Sequence, residues 1–228
     1  MDRITVLAPS FSVSKARRTQ ALLSKRIIEE DRLPDEIEFI AGVDVAYVGK
    51  LAIGAVAVLD YHSLKVIEFQ TAICEVKIPY VPTLLAFREI PAATACIRRL
   101  RKHPDVFLVD GQGIAHPYNF GFASHLGLIV GKPTIGVAKT KLVGEPIDNG
   151  KNAFLTYKGK IVGSTIRTIE HAKPVYVSVG HLISLKTAIK IAGDCTRNSR
   201  IPEPLRQAHR IASERQQQLN KTIDTGKT

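Results

Sequence analysis

Apolar and polar positions follow two rhythms along this 228-residue chain. From Glu38 to Val48, and again from Leu51 to Tyr61, apolar residues run almost unbroken, and residues 64–77 alternate. Turn-length gaps separate the three runs, which predicts an antiparallel meander. Val106–Val109 is a short apolar run ending in Asp110 and a glycine-rich turn, and it predicts a buried strand. Thr134–Ala138 predicts another, and residues 153–157, 161–167 and 175–179 are strand candidates between Gly or Pro turns. Helical spacing covers 14–31, with Ser14 as N-cap and Ala16, Leu23 and Ile27 as a partial apolar stripe. It returns at about 83–102, interrupted near Pro91, and at 120–130, Leu185–Ala192 and Glu203–Leu219. Residues 1–10 read as a loose arm and Asn220–Thr228 as a frayed tail.

This order implies an α/β fold, a mixed sheet with helices on both faces. The length fits one domain over 1–228, with residues about 140–180 extending the sheet or packing beside it.

Composition narrows the function. The apolar share of 45% and charged share of 23% belong to an ordinary globular chain. No apolar run reaches the roughly 18 residues of a membrane span, and the N-terminus lacks the order of a secretion signal. The expected location is therefore the cytoplasm. Cys74, Cys96 and Cys195 form no C-x-x-C pair, which argues against a zinc site or a disulfide framework. Buried free thiols are expected, a single bridge being the alternative.

A net charge of +11 suggests a polyanionic partner. The basic residues cluster as Lys15, Arg17, Arg18, Lys25 and Arg26; as Arg98, Arg99, Arg101 and Lys102; and as Arg197, Arg200, Arg206, Arg210 and Arg215. Any one cluster reads as a solvated helix face. Three on an acid-poor chain point to nucleic acid.

Two aspartates carry the candidate chemistry. Asp44 sits among residues that are otherwise apolar, Gly or Tyr, and an unpaired buried charge there costs several kcal/mol. It must be neutralised, paired with a cation or bound to a metal. Asp110 ends a neighbouring strand, where open α/β sheets bind ligands, although an ordinary Asp-Gly turn would look the same. Two such groups on adjacent strands repel unless a divalent ion lies between them, and oxygen ligands select Mg²⁺ or Mn²⁺. Glu89, His209 and Lys139 are further candidates, against the plainer readings of a surface glutamate, a satisfied helix histidine and a solvated lysine.

The chain resembles the endonuclease V family over nearly its whole length. The resemblance rests on seven stretches in order: Ala41–Asp44, Pro79-Tyr80-Val81-Pro82, Leu84–Glu89, Val109–Pro117, Ala123-Ser124-His125, Pro133–Lys139 and Arg200–Pro204. It implies a ribonuclease-H-like fold, with a five-stranded mixed sheet whose first three strands are antiparallel and helices on both faces. The implied activity is cleavage of DNA at the second phosphodiester 3′ to deoxyinosine, leaving 3′-hydroxyl and 5′-phosphate ends. By resemblance Asp44 and Asp110 hold Mg²⁺, for which Mn²⁺ substitutes, and Glu89 and His209 complete the site. Lys139 contacts the scissile phosphate or the attacking water, and His116 lies nearby without an assigned role. Pro79, Tyr80, Val81 and Pro82 form a rigid wedge whose ring fills space vacated by an extruded base. Leu85, Gly111 and Gly121 line the base pocket, where a tight fit would exclude guanine by its extra amine. The expected partner is inosine-containing DNA, met by a monomer. An inosine-directed ribonuclease and an inactive nucleic-acid binder are the competing readings.

Overall fold

The computed structural model describes residues 11–147, 153–169 and 172–226. The helix α1 spans Val13–Leu23, and a meander follows of β1 (Phe39–Val48), β2 (Leu51–Asp60) and β3 (Val66–Glu75). Next come α2 (Ala86–Ile97), β4 (Val106–Asp110), α3 (Phe122–Val130) and β5 (Thr134–Ala138). Four more strands, β6 (Glu145–Ile147), β7 (Phe154–Tyr157), β8 (Lys160–Ile166) and β9 (Val175–His181), precede α4 (Leu185–Asp194) and α5 (Glu203–Asp224).

The strands form one sheet in the order β3-β2-β1-β4-β5-β9-β8-β7-β6. The meander is antiparallel, as its alternation predicts, while β1, β4 and β5 run parallel. The first five positions are the expected mixed core. The sheet has nine strands among the described residues rather than five, because β9 pairs antiparallel with β5 and β8, β7 and β6 continue the same sheet.

Strand alternation sends side chains to two separate cores. Ile40, Ala55, Leu59, Leu108, Ile135 and Val137 face α4 and α5; Ala41, Val43, Val56, Phe107 and Val109 face α2 and α3. Two glycines set the helices close. A Cβ on Gly42 would lie 1.9 Å from the Pro204 carbonyl oxygen at the start of α5, and one on Gly54 would lie 2.4 Å from that of Ala92 in α2. Each helix therefore packs backbone against sheet at these points.

Several expectations are corrected. The first helix is shorter than 14–31: Ser12 rather than Ser14 caps it, its Oγ accepting from Lys15 N, and a 3-10 turn at Ser24–Arg26 ends it. Ile27 turns extended because the chain then bonds along the far end of β9, with Ile28 N donating to His181 Nδ1 and Leu182 N to Ile28 O. Pro91 does not interrupt α2, since it removes only its own N–H. That helix is nonetheless shorter than 83–102, because residues 83–85 are spent on a turn in which Leu84 N donates to Val81 O. The last helix runs to Asp224, so the expected tail at Asn220 is helical through that residue. The expected arm at 1–10 and the tail's final two residues lie outside the described residues. All three cysteines are free. Among the described residues no helix is long and apolar enough to cross a membrane.

The third basic cluster is partly structural. Arg197 donates to the His62 and Ser63 carbonyls and Arg200 to those of Lys139, Lys173 and Pro174.

Because the Gly42 contact is backbone against backbone, Gly42→Ala is expected to cost more than about 3 kcal/mol of stability. Urea unfolding of the two proteins measures it; an unchanged midpoint would show that α5 yields without cost.

Candidate active site

The parallel register of β1 and β4 pairs Val43 with Val109, so the next step sets Asp44 beside Asp110. Both point to the α5 face. Lys139 follows β5 two residues beyond Val137, which pairs with Asp110, and its parity sends it to the same face. Asp44 is central in its strand yet lies at the tip of the parallel sheet, because β1 runs on to Val48 after β4 has ended.

The side chains meet there. Asp110 Oδ2 accepts from Lys139 Nζ at 2.6 Å, and His209 Nδ1 on α5 lies 2.8 Å from Asp44 Oδ2. Asp44 Oδ1 accepts from Val45 N at 2.8 Å. One ligand atom from each of Asp44, Asp110 and His209 falls within 4.8 Å of the other two. Glu89 enters from the first turn of α2 and is only 8% exposed, so it is no surface glutamate.

Charge is poorly balanced at this edge. Burial, reinforced by Asp44 and Asp110, lifts the Glu89 carboxyl well above the usual range. Burial and Asp44 also raise Asp110, against the opposing pull of Lys139. Burial, with Glu89 nearby, pushes the Tyr47 hydroxyl up to about 12. Three carboxyl groups thus face Lys139, His209 and, at Glu89, the opposing pull of Arg88. Two hard carboxylates and an imidazole nitrogen are a donor set suited to a divalent cation, and they could hold one.

Beside the carboxylates opens a cavity of about 470 Å³, lined among others by Thr83, Leu85, Glu89, Asp110, Gly111, His116, Gly121 and Lys139. The three expected pocket residues, Leu85, Gly111 and Gly121, are all on its wall. His116 is buried, and its role is legible here: its Nδ1 accepts from Tyr118 N at 3.2 Å, so its Nε2 donates to Thr83 O at 3.1 Å. Burial holds its pKa down at about 4.

The Pro79-Tyr80-Val81-Pro82 segment follows β3 and leads directly into Thr83 on this cavity's wall. Tyr80 is 67% exposed, an unusual position for a ring with no ligand to cover it. The Arg88 guanidinium lies 5.8 Å from the Tyr80 ring centroid and 5.2 Å from that of Tyr47. Sequence reasoning missed Arg88, Gln20 and the work of Arg200, which fixes the backbone of Lys139 through its carbonyl at 2.7 Å. Gln20 left a signal, a polar residue four places after Ala16 on the α1 stripe.

His125 packs between Phe87 and Phe120, each centroid 5.1 Å away, and its pKa is also lowered to about 4 by burial. Its folded pKa lies below the unfolded value near 6.5, so below that pH the unfolded chain takes up the proton first. Stability is complete above about pH 6.5 and is lost as pH falls toward 4, by on the order of 3 kcal/mol for this residue. Glu89 and Asp110, raised in the fold, titrate with the opposite sign. Comparing His125→Phe with the unaltered protein cancels them. The variant is expected to show a flatter fall in urea midpoint between pH 6.5 and 4.5; parallel curves would refute the assignment.

With this geometry in place, the chain can be compared with known proteins. A family model described as Endonuclease V matches residues 21–210. Endonuclease V of Thermofilum pendens is 48% identical over 214 residues, 92% of each chain. The crystal structure of endonuclease V from Streptomyces avermitilis superposes with a TM-score of 0.87 at 38% identity, covering 92% of this chain and 96% of that one. Ciona intestinalis endonuclease V, solved in complex with a 23mer DNA containing an inosine followed by a ribo-adenosine, superposes at 0.83 with 30% identity, covering 91% and 98%. A match across most of the chain, by sequence and by structure alike, establishes that this protein belongs to the endonuclease V family.

Proposed function

We propose that this chain is a metal-dependent DNA-repair endonuclease that recognises deoxyinosine and hydrolyses the second phosphodiester 3′ to it, leaving 3′-hydroxyl and 5′-phosphate ends. The observation that carries the reading is the meeting of Asp44, Asp110 and His209, with Asp110 on the wall of the cavity. Family membership supports nuclease chemistry, and the inosine-containing DNA held by the Ciona relative supports the substrate.

In this reading Asp44 and Asp110, with His209, hold Mg²⁺, or Mn²⁺ in its place. The ion supplies positive charge for the phosphoryl oxygens and makes water a stronger acid. The remaining work falls to the chain. Lys139 places its ammonium at the same edge, where it offsets charge growing on the phosphate in the transition state. Glu89, whose carboxyl is raised by burial and by Asp44 and Asp110, adds a third carboxyl at this edge that could serve the bound cation or its water. His116 is neutral and committed to Thr83 O, so it shapes the pocket and moves no proton.

Recognition is assigned to the other half of the site. Tyr80 enters the stack as the base leaves it, and the cavity receives the base against Leu85 and the Gly111 and Gly121 backbone. Hypoxanthine differs from guanine by one amine, so a close wall on that edge gives the discrimination.

An oligomer with one inosine, incubated with Mg²⁺ and sized, tests the whole reading: one cut at the second 3′ bond is expected, and a different position overturns it. A matched RNA oligomer decides between DNA and RNA. Asp110→Ala should lower cleavage by at least about a thousandfold while binding to the inosine strand survives; retained cutting would remove Asp110 from the chemistry. Tyr80→Ala should lose about tenfold in affinity for inosine-containing duplex and much less for undamaged duplex. Equal losses on both would make the tyrosine structural.

A further inference from the structure

Gln20 is completely buried on α1, and both hydrogens of its amide are used. Nε2 donates to Thr83 O at 2.8 Å and to Phe120 O at 3.2 Å. Two carbonyl acceptors require the nitrogen at that position, which leaves Oε1 buried without a partner. A buried amide that leaves one atom unpaired costs stability. The arrangement therefore needs a reason beyond packing.

Thr83 supplies one. Its φ is +73°, a left-handed conformation that is a genuine outlier for a β-branched residue. It follows directly on Pro79-Tyr80-Val81-Pro82, and it lines the cavity. Its carbonyl receives a second donor, His116 Nε2 at 3.1 Å. One strained carbonyl is thus gripped from two sides, by α1 and by the loop after β4. Through Phe120 O, Gln20 also ties that loop to the same point. Residue 83 is where the chain changes direction between the exposed tyrosine turn and α2, whose first turn carries Glu89.

We propose that Gln20 and His116 form a latch that holds Thr83 in its strained conformation, and so fixes the Tyr80 turn against the base cavity. They are positioning residues for base discrimination. Neither touches the carboxylate cluster, so the latch acts on which base is accepted and not on the rate of bond hydrolysis. The inference rests on the proposed inosine-directed activity for its kinetic readout, but its structural core does not.

Gln20→Met keeps the volume of the side chain and removes both donors. It is expected to lower the ratio of kcat/KM for inosine over undamaged oligomers by about tenfold or more, through KM, with kcat changed by less than about twofold. Amide exchange across residues 80–84, followed by mass spectrometry, should quicken by about tenfold. Glycine takes a positive φ without strain, so Thr83→Gly added to Gln20→Met should restore slow exchange and most of the selectivity. A merely structural glutamine would give equal losses on both oligomers and no rescue by Thr83→Gly, and either result overturns the latch. Should Gln20→Met fail to fold, His116→Phe removes the opposing donor, and its amide exchange and the rescue by Thr83→Gly are read instead of the kinetics. If the unaltered protein does not cut at inosine, the functional reading fails, and the exchange and rescue measurements alone decide the latch.

Discussion

Two carboxylates lie side by side, in register, on adjacent strands at the tip of a buried parallel sheet. Unit charges at the spacing found here repel by about 3 kcal/mol at a partly buried site. Parallel pairing leaves no freedom to relieve this, since a slip of one residue would turn every neighbouring core side chain to the opposite face. The repulsion is therefore fixed by the same register that buries Val43 and Val109 in one core and Ile40 and Leu108 in the other. Around it the chain supplies partners: the Lys139 ammonium against Asp110 and the His209 ring nitrogen against Asp44. Glu89 brings a third carboxyl to the same place, its pKa raised by burial and by both aspartates. An edge this acidic, on a chain whose net charge is +11, is organised to receive a cation.

Delivering those partners depends on contacts that the acids themselves do not make. His209 reaches Asp44 because α5 starts in contact with Gly42, two residues earlier on the same face of β1, and a side chain there would lift the helix away. Lys139 reaches Asp110 because Arg200 grips its carbonyl together with those of Lys173 and Pro174. Arg200 itself lies in the segment leading into α5. One short stretch, 200–209, thus sets both basic partners of the acid pair.

Most of this was legible in the sequence, for particular reasons. The meander and the two short parallel strands announced themselves because their apolar runs are flanked by Gly, Pro and Asp. Asp44 was conspicuous because every neighbour is apolar, Gly or Tyr. What was hidden required tertiary knowledge. The early end of α1 is decided by hydrogen bonds to β9 residues about 150 positions away, which no local propensity contains. Three of the four added strands match the expected 153–157, 161–167 and 175–179, but β6 is only Glu145–Ile147, too brief for a period to show. Glu89 looked like a surface residue because its neighbour Arg88 is charged. Only packing of α2 across β2 puts one inward and leaves the other to meet two tyrosines. His116 stood in a quoted motif, but its partner is a carbonyl 33 residues away.

The site divides along a physical line. Its acids come from strands and from the faces of helices pressed on those strands, where neighbours on every side hold a side chain to within tenths of an ångström. Its exposed ring comes from a turn between two prolines, which has stiffness but little packing. Phosphodiester hydrolysis needs the first property, since charge must be met where it develops. In the proposed reading, testing a base calls on the second, since the Tyr80 ring would have to reach into the stack of the bound duplex. A single junction has to join rigid to mobile without passing the motion on. Thr83 occupies it, strained in φ and fastened through its carbonyl to α1 and to the loop beside the acids. In the proposed latch, a hinge left free at that point would let the tyrosine turn shift, whereas one fastened by Gln20 and His116 holds it in place.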